Sequence, residues 1–201
     1  KTRLGYNTDI LEEWLPKILS TNPAAVTIHA RTRKDMSKVP ARWERVARAV
    51  EIRDELGSSA RILGNGDVLS LHDARKKVQE SGADGAMIGR ALFGNPWFFH
   101  PSRRLPYKLT ALPTHGVNRD SILSNDVEQT RDQVSLEERL RVLVEHTELF
   151  SELLPHKSFA VMKKHFKAYV SGFEGAAELR VKLMESENSA EVEAHIKHFL
   201  T

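Results

Sequence analysis

Cysteine is absent from the 201 residues. Disulfides, thiolate metal sites and a cysteine nucleophile or acid are therefore excluded within this chain, and the composition suits a reducing cytosol. Also missing is any run approaching the roughly 18 apolar residues of a membrane-spanning helix, and the first residues show no basic-then-apolar leader. No charge of one sign dominates: 30 Lys and Arg stand against 27 Asp and Glu, a net charge of +3. A nucleic-acid surface must then be a local patch. No zinc-like ligand set occurs, and His195 and His198, one helical turn apart, read as solvated.

What is present is ordinary for a globular protein, with 40% hydrophobic and 28% charged residues. That length can bury a real core in one large or two small domains. The first hundred residues alternate between strand and helix patterns. Thr2 to Gly5 reads as the end of a strand. Asn7 or Thr8 is placed to cap a helix bearing Ile10, Leu11, Trp14, Leu15 and Ile18, with Pro16 kinking or splitting it. Ala25 to Ile28 is a β-branched run, followed by a helix with Trp43, Val46, Ala47 and Val50 on one face that ends near Gly57. A strand from Ala60 to Gly64 leads to Ser70 and Asp73, spaced as a capping box for a helix that Gly82 stops. A last strand runs from Gly85 to Ile88.

Strands alternating with helices predict a parallel sheet with crossover helices, the α/β class. Four units make half of an eight-stranded (β/α)₈ barrel, which alone would leave open sheet edges and an uncovered interior. The chain accordingly reads as the C-terminal part of a longer protein. Two turns, Asn65-Gly66-Asp67 and Gly89-Arg90, close the last two strands. In such barrels the loops after the seventh and eighth strands commonly hold a cofactor phosphate. Glycine lets the main chain approach the anion, and the Arg90 guanidinium adds charge-assisted bonds.

Residues 101–134 lose periodicity, contain Pro101, Pro106, Pro113 and Gly116, and read as a linker or insertion. From 135 the pattern is helical: Ser135 with Glu138 opens one helix, Phe159, Met162 and Phe166 mark a second, Leu179 and Leu183 a third, and Asn188 with Glu191 caps a fourth. Lys163, Lys164 and Lys167, with Lys157 nearby, form a basic face suited to phosphate, and His165 beside them can stack or hydrogen-bond with RNA.

The segments IHARTR (28–33), GNGDV (64–68), GADGAMIGRALFGNPWFF (82–99) and MKKHFKAYVSGFEGAAELR (162–180) together resemble the tRNA-dihydrouridine synthases, most like the bacterial B-type branch. The resemblance spans nearly all of the chain outside 101–134. It implies a cytoplasmic, FMN-dependent enzyme that reduces the C5–C6 double bond of tRNA uridines with NADPH as electron source. The expected architecture is a TIM-barrel flavin domain, of which residues 1–100 are the C-terminal half, the 101–134 linker, and a helical tRNA-binding domain over 135–201. No membrane or metal partner is expected.

Carried over residue by residue, Lys1 matches the lysine of a K-x-R-x-G strand end beside the flavin ring, where a cation stabilises negative charge. His29 matches the histidine at the end of the sixth strand, facing flavin or uracil. Asn65, Gly66, Asp67, Gly89 and Arg90 match the FMN-phosphate residues. An acid beside phosphate is electrostatically odd, so Asp67 reads as a helix cap, an orienter of N–H groups or a ribityl contact. Arg31 and Arg33 are candidates for RNA contact, as are Lys163, Lys164 and Lys167. The family's proton donor is a cysteine in the N-terminal half of the barrel. No catalytic residue is therefore expected in this chain, which alone should not complete the reaction. Two other readings compete: another FMN- or phosphate-binding TIM-barrel enzyme, which leaves the helical tail unexplained, and a non-catalytic RNA-binding module.

Overall fold

The computed structural model describes residues 1–99 and 134–201, so residues 101–133 of the expected linker lie outside the described residues. Residues 1–91 belong to one compact unit, and residues 92–99 and 134–201 to a second.

In the first unit, β1 (Thr2–Arg3), β2 (Ala25–His29), β3 (Arg61–Asn65) and β4 (Gly85–Met87) form one sheet in sequential order. Every pairing is parallel, as the alternating pattern predicts. The crossovers are α1 (Leu11–Leu19), α2 (Trp43–Glu55) and α3 (Leu71–Ser81). Alternate strand residues point to one face. Val26, Ile28 and Ile62 accordingly pack with Leu11, Leu15, Val46 and Ala49 in the core. The opposite phase, Thr27, His29, Leu63 and Asn65, faces away from the helices. β1 stops at Arg3, short of the expected Gly5. β2 ends at His29, one residue beyond the expected Ile28, where the Arg31 N–H folds back on the His29 carbonyl at 2.7 Å.

Three local expectations need correction. Neither Asn7 nor Thr8 caps α1; the Asp9 carboxylate accepts from the Leu11 N–H at 3.2 Å, while the Ile10 N–H is held by the Leu4 carbonyl at 2.9 Å. Pro16 does not split α1, which runs through it with Leu11, Leu15 and Leu19 buried on one stripe. On α2 the buried stripe is Val46, Ala49 and Ile52, leaving Ala47 to one side. The α3 cap is as read: Ser70 Oγ accepts from the Asp73 N–H at 3.0 Å, and the Asp73 carboxylate accepts from the Leu69 N–H at 2.9 Å.

The described part of the second unit is helical: α4 (Leu136–Leu153), α5 (Ala160–Tyr169), α6 (Ala176–Glu185) and α7 (Ser189–Leu200). Leu140, Leu143, Met162, Phe166, Leu179, Leu183 and Ile196 make its core. Ser135 Oγ caps α4 through the Glu138 N–H at 3.2 Å, and Asn188 Oδ1 caps α7 through the Glu191 N–H at 3.0 Å. No helix among the described residues is long and apolar enough to cross a membrane.

Candidate functional site

The strand register puts chemistry in one row. Arg3 pairs with His29, His29 with Asn65, and Asn65 with Met87, so these four residues lie side by side at the C-terminal ends of the strands and on one face. Asn65 is buried and ties the row together, its Nδ2 donating to the Met87 carbonyl at 2.7 Å and its own carbonyl accepting from the Ala30 N–H at 2.9 Å. In front of the row opens a cleft of about 520 Å³, lined by His29, Asn65, Gly66, Asp67, Gly89 and Arg90 with Arg31 in its wall. That volume is in the range of small-molecule sites.

Asp67 is the hub of the cleft. It adopts a positive φ of 49°, a left-handed conformation that aspartate tolerates better than most residues. One carboxylate oxygen accepts from Arg31 Nη2 and from the Ala41 N–H at 2.9 Å, and the other accepts from Arg90 Nη2 at 2.9 Å. Asp67 therefore orients two guanidinium groups and an N–H group rather than capping α3, whose cap is Ser70. The bond from Arg31, above all, holds its carboxyl below the usual carboxylate range.

Arg31 corrects an expectation. Instead of standing on an RNA-facing loop it is 3% exposed, with Nε donating to the Val39 carbonyl at 2.7 Å and Nη2 paired with Asp67. The attraction of a carboxylate 36 residues later draws the side chain inward. Arg90, by contrast, keeps its side chain 67% exposed while touching Asp67, so it can turn toward a ligand.

The glycines have separable reasons. Gly66 has φ of +120°, and a Cβ there would come within 2.8 Å of Ala41 Cβ and 3.1 Å of His29 Cδ2. Its carbonyl accepts from Trp43 Nε1 at 2.8 Å. Gly89 is different: its φ is not positive and an added Cβ would meet nothing within 4 Å among the described residues. Neither backbone strain nor packing asks for glycine there. Gly89 lines the cleft.

His29 is half-buried, and its pKa is lowered to about 4, first by burial and then by Arg3, Lys1 and Arg31, against the opposing Asp67. The ring is neutral near pH 7. Arg31 Nη1 lies 3.4 Å from His29 Nε2; a guanidinium has only donors, so Nε2 accepts and Nδ1 carries the proton. Lys1 is exposed and close enough for its charge to be felt at His29. With Arg31 and Arg90 against the one carboxylate of Asp67, the cleft lining is net positive, and Lys1 and Arg3 add positive charge near His29.

Arg33 is exposed and lies over the Tyr6 ring, 5.6 Å from its centroid. In the second unit Lys164 and Lys167 are exposed and Lys163 half-buried. Among the described residues none of these lysines, nor Lys157, has an acidic partner, whereas Lys197 of the same unit is paired with Glu193 at 2.7 Å. No cluster of three or more metal-ligating side chains occurs among the described residues. Sequence reasoning missed Arg3, Ala41 and Trp43. The half-buried indole N–H of Trp43 finds an acceptor, which was the one available clue.

The whole chain, residues 1–201, matches the family model described as dihydrouridine synthase. It is 34% identical over 203 residues to a probable tRNA-dihydrouridine synthase 2 of Bacillus subtilis (strain 168), covering 99% of this chain and 54% of the relative. It is 32% identical over 202 residues to a probable tRNA-dihydrouridine synthase of Staphylococcus aureus (strain N315), covering 99% and 53%. The chain thus spans about half the length of the curated relatives it matches. The cleft with its two glycine turns lies inside the matched region, and the chain belongs to the dihydrouridine synthase family.

Proposed function

We propose that this chain is the C-terminal part of an FMN-dependent tRNA-dihydrouridine synthase. In this reading its four parallel strands are half of a TIM barrel, the cleft holds the phosphate end of FMN, and the helical unit binds tRNA. The observation that carries the reading is Gly89, a glycine that neither its φ nor the described residues around it require, which lines a net positive cleft beside the exposed Arg90.

The residues fit a phosphate monoester. Gly66 and Gly89 allow close main-chain approach, Arg90 supplies a charge-assisted donor, and Asp67, neutralised by two arginines, holds Arg90 at the rim rather than repelling the anion. Bound there, FMN would supply hydride-transfer chemistry toward the uracil C5–C6 double bond, with NADPH as the source of electrons. His29, kept neutral with its proton on Nδ1, donates a hydrogen bond without adding charge. Lys1 and Arg3 stabilise negative charge nearby. The acid that protonates the product carbon is not in this cysteine-free chain; the remaining half of the enzyme supplies it, and these residues alone do not complete the reaction. Lys163, Lys164 and Lys167 contact tRNA phosphates, and Arg33 is the remaining loop candidate for RNA contact. Such an enzyme works in the cytoplasm.

Flavin content of the full-length protein tests the assignment. Arg90→Ala should weaken FMN binding by about 1.5–3 kcal/mol, the scale of a charged hydrogen bond. Gly89→Leu should abolish flavin retention yet leave the unfolding midpoint of the flavin-free protein unchanged. Wild-type flavin affinity in both variants would overturn the reading.

A further inference from the structure

On α5 the helix that carries the unpaired lysines also carries His165, and a second element brings an aromatic ring to it. Phe93 is 59% exposed and stands edge-on to His165, with ring centroids 6.0 Å apart and planes at 78°. The segment is pinned there by close backbone contact: a Cβ on Gly94 would come within 2.5 Å of the Ala168 carbonyl oxygen of α5. Behind His165 lies the ring of His146 at 5.1 Å, whose Nδ1 is 3.2 Å from the hydroxyl of the buried Tyr169. His165 thus has a fixed backing, and Phe93 has an open face. Burial, then His146 and Lys164, lowers the His165 pKa, so the imidazole presents an uncharged ring.

An exposed aromatic packed on a helix that also carries unpaired cations offers the two kinds of contact by which proteins hold unstacked nucleotides: bases lie on the ring and the backbone follows the charge. At 59% exposure the Phe93 ring is not part of the helical core. We propose that Phe93, backed by His165, is a stacking site for one unpaired nucleobase of the RNA substrate, with the flanking phosphates on Lys163, Lys164 and Lys167. This rests on the reading of the helical unit as tRNA-binding and adds a non-electrostatic contact to it.

The two contacts differ in salt dependence. Stacking releases no counterions, whereas each lost phosphate contact lowers the slope of log K against log salt by about one. Titration of tRNA into the full-length protein at several salt concentrations therefore separates them. Phe93→Leu, which keeps an apolar side chain but removes the π-face, should weaken binding about 5- to 100-fold, the range for loss of one stacked base, with the slope unchanged. Phe93→Trp should bind like wild type. Should Phe93→Leu bind with wild-type affinity while the triple alanine variant of Lys163, Lys164 and Lys167 loses both affinity and slope, stacking is overturned and the tRNA reading stands. Should both variants match wild type, both readings fall.

Discussion

Replacing Asp67 with asparagine or alanine isolates the ion pair that shapes the cleft. Arg31 is 3% exposed and Asp67 30%, so the pair is mostly shielded from water, while the Arg90 contact is two-thirds exposed and contributes only about 0–1 kcal/mol. Alanine removes the acceptor of a charged bond, about 1.5–3 kcal/mol, and leaves the Ala41 N–H without its partner. Because Arg31 keeps the Val39 carbonyl, the loss should be about 3 kcal/mol, at the lower end of the range for breaking a buried pair. Asparagine keeps the shape and one acceptor and should lose about half of that. Urea unfolding of the full-length protein at pH 7 gives both values. The pH dependence adds a second check. The folded-state pKa of Asp67 is depressed, chiefly by the Arg31 bond, so the folded protein binds fewer protons here than the unfolded chain. The contribution is whole above about pH 4, the unfolded value, and is lost as pH falls through the lower folded value. The gap between wild type and Asp67→Asn should therefore stay constant from pH 5 to pH 8 and close under more acidic conditions, as about one unit of pH separates full from partial ionisation. A difference below about 0.5 kcal/mol at pH 7, the level of an exposed pair, or a gap that does not close in acid, would refute the argument.

Two further outcomes follow from the same geometry. The His29 ring should titrate near pH 4 by NMR rather than near its ordinary 6.5. Between those values the unfolded chain binds the extra proton, so stability should rise with pH across that window, and His29→Gln should flatten the rise. Gly64→Ala should destabilise the first unit, since its Cβ would lie 2.3 Å from the Trp43 ring; overpacking of this kind costs about 1–3 kcal/mol, measurable in the same urea titration.

Much of this site could be read without coordinates, and the parts that could not share a cause. The strands after Ala25 and Ala60 declare themselves by β-branched and apolar runs, and the caps at Ser70, Ser135 and Asn188 are local bonds between residues three apart. Local chemistry suffices there. The Asn65 and Gly89 turns are legible for the same reason, the first beginning at the last residue of β3 and the second lying two residues after β4. Arg31 is not legible, because its fate depends on Asp67 from the loop after β3 and on how its own loop brings the Val39 carbonyl to it. The α1 cap fails similarly: Asn7 and Thr8 have the right chemistry, but the Leu4 carbonyl takes the Ile10 N–H and so starts the helix where Asp9 is the residue in reach.

Trp43 stacks its six-membered ring where Gly64 lacks a side chain and donates its indole N–H to Gly66. The turn after β3 and the first turn of α2 are therefore mechanically coupled through one side chain. A displacement of Gly66 large enough to admit or release an anion must drag the indole or break its hydrogen bond, changing the ring's polarity and emission. These 201 residues thus carry their own optical gauge of the cleft, readable by fluorescence once the other tryptophans, Trp14 and Trp97 among them, are replaced with phenylalanine.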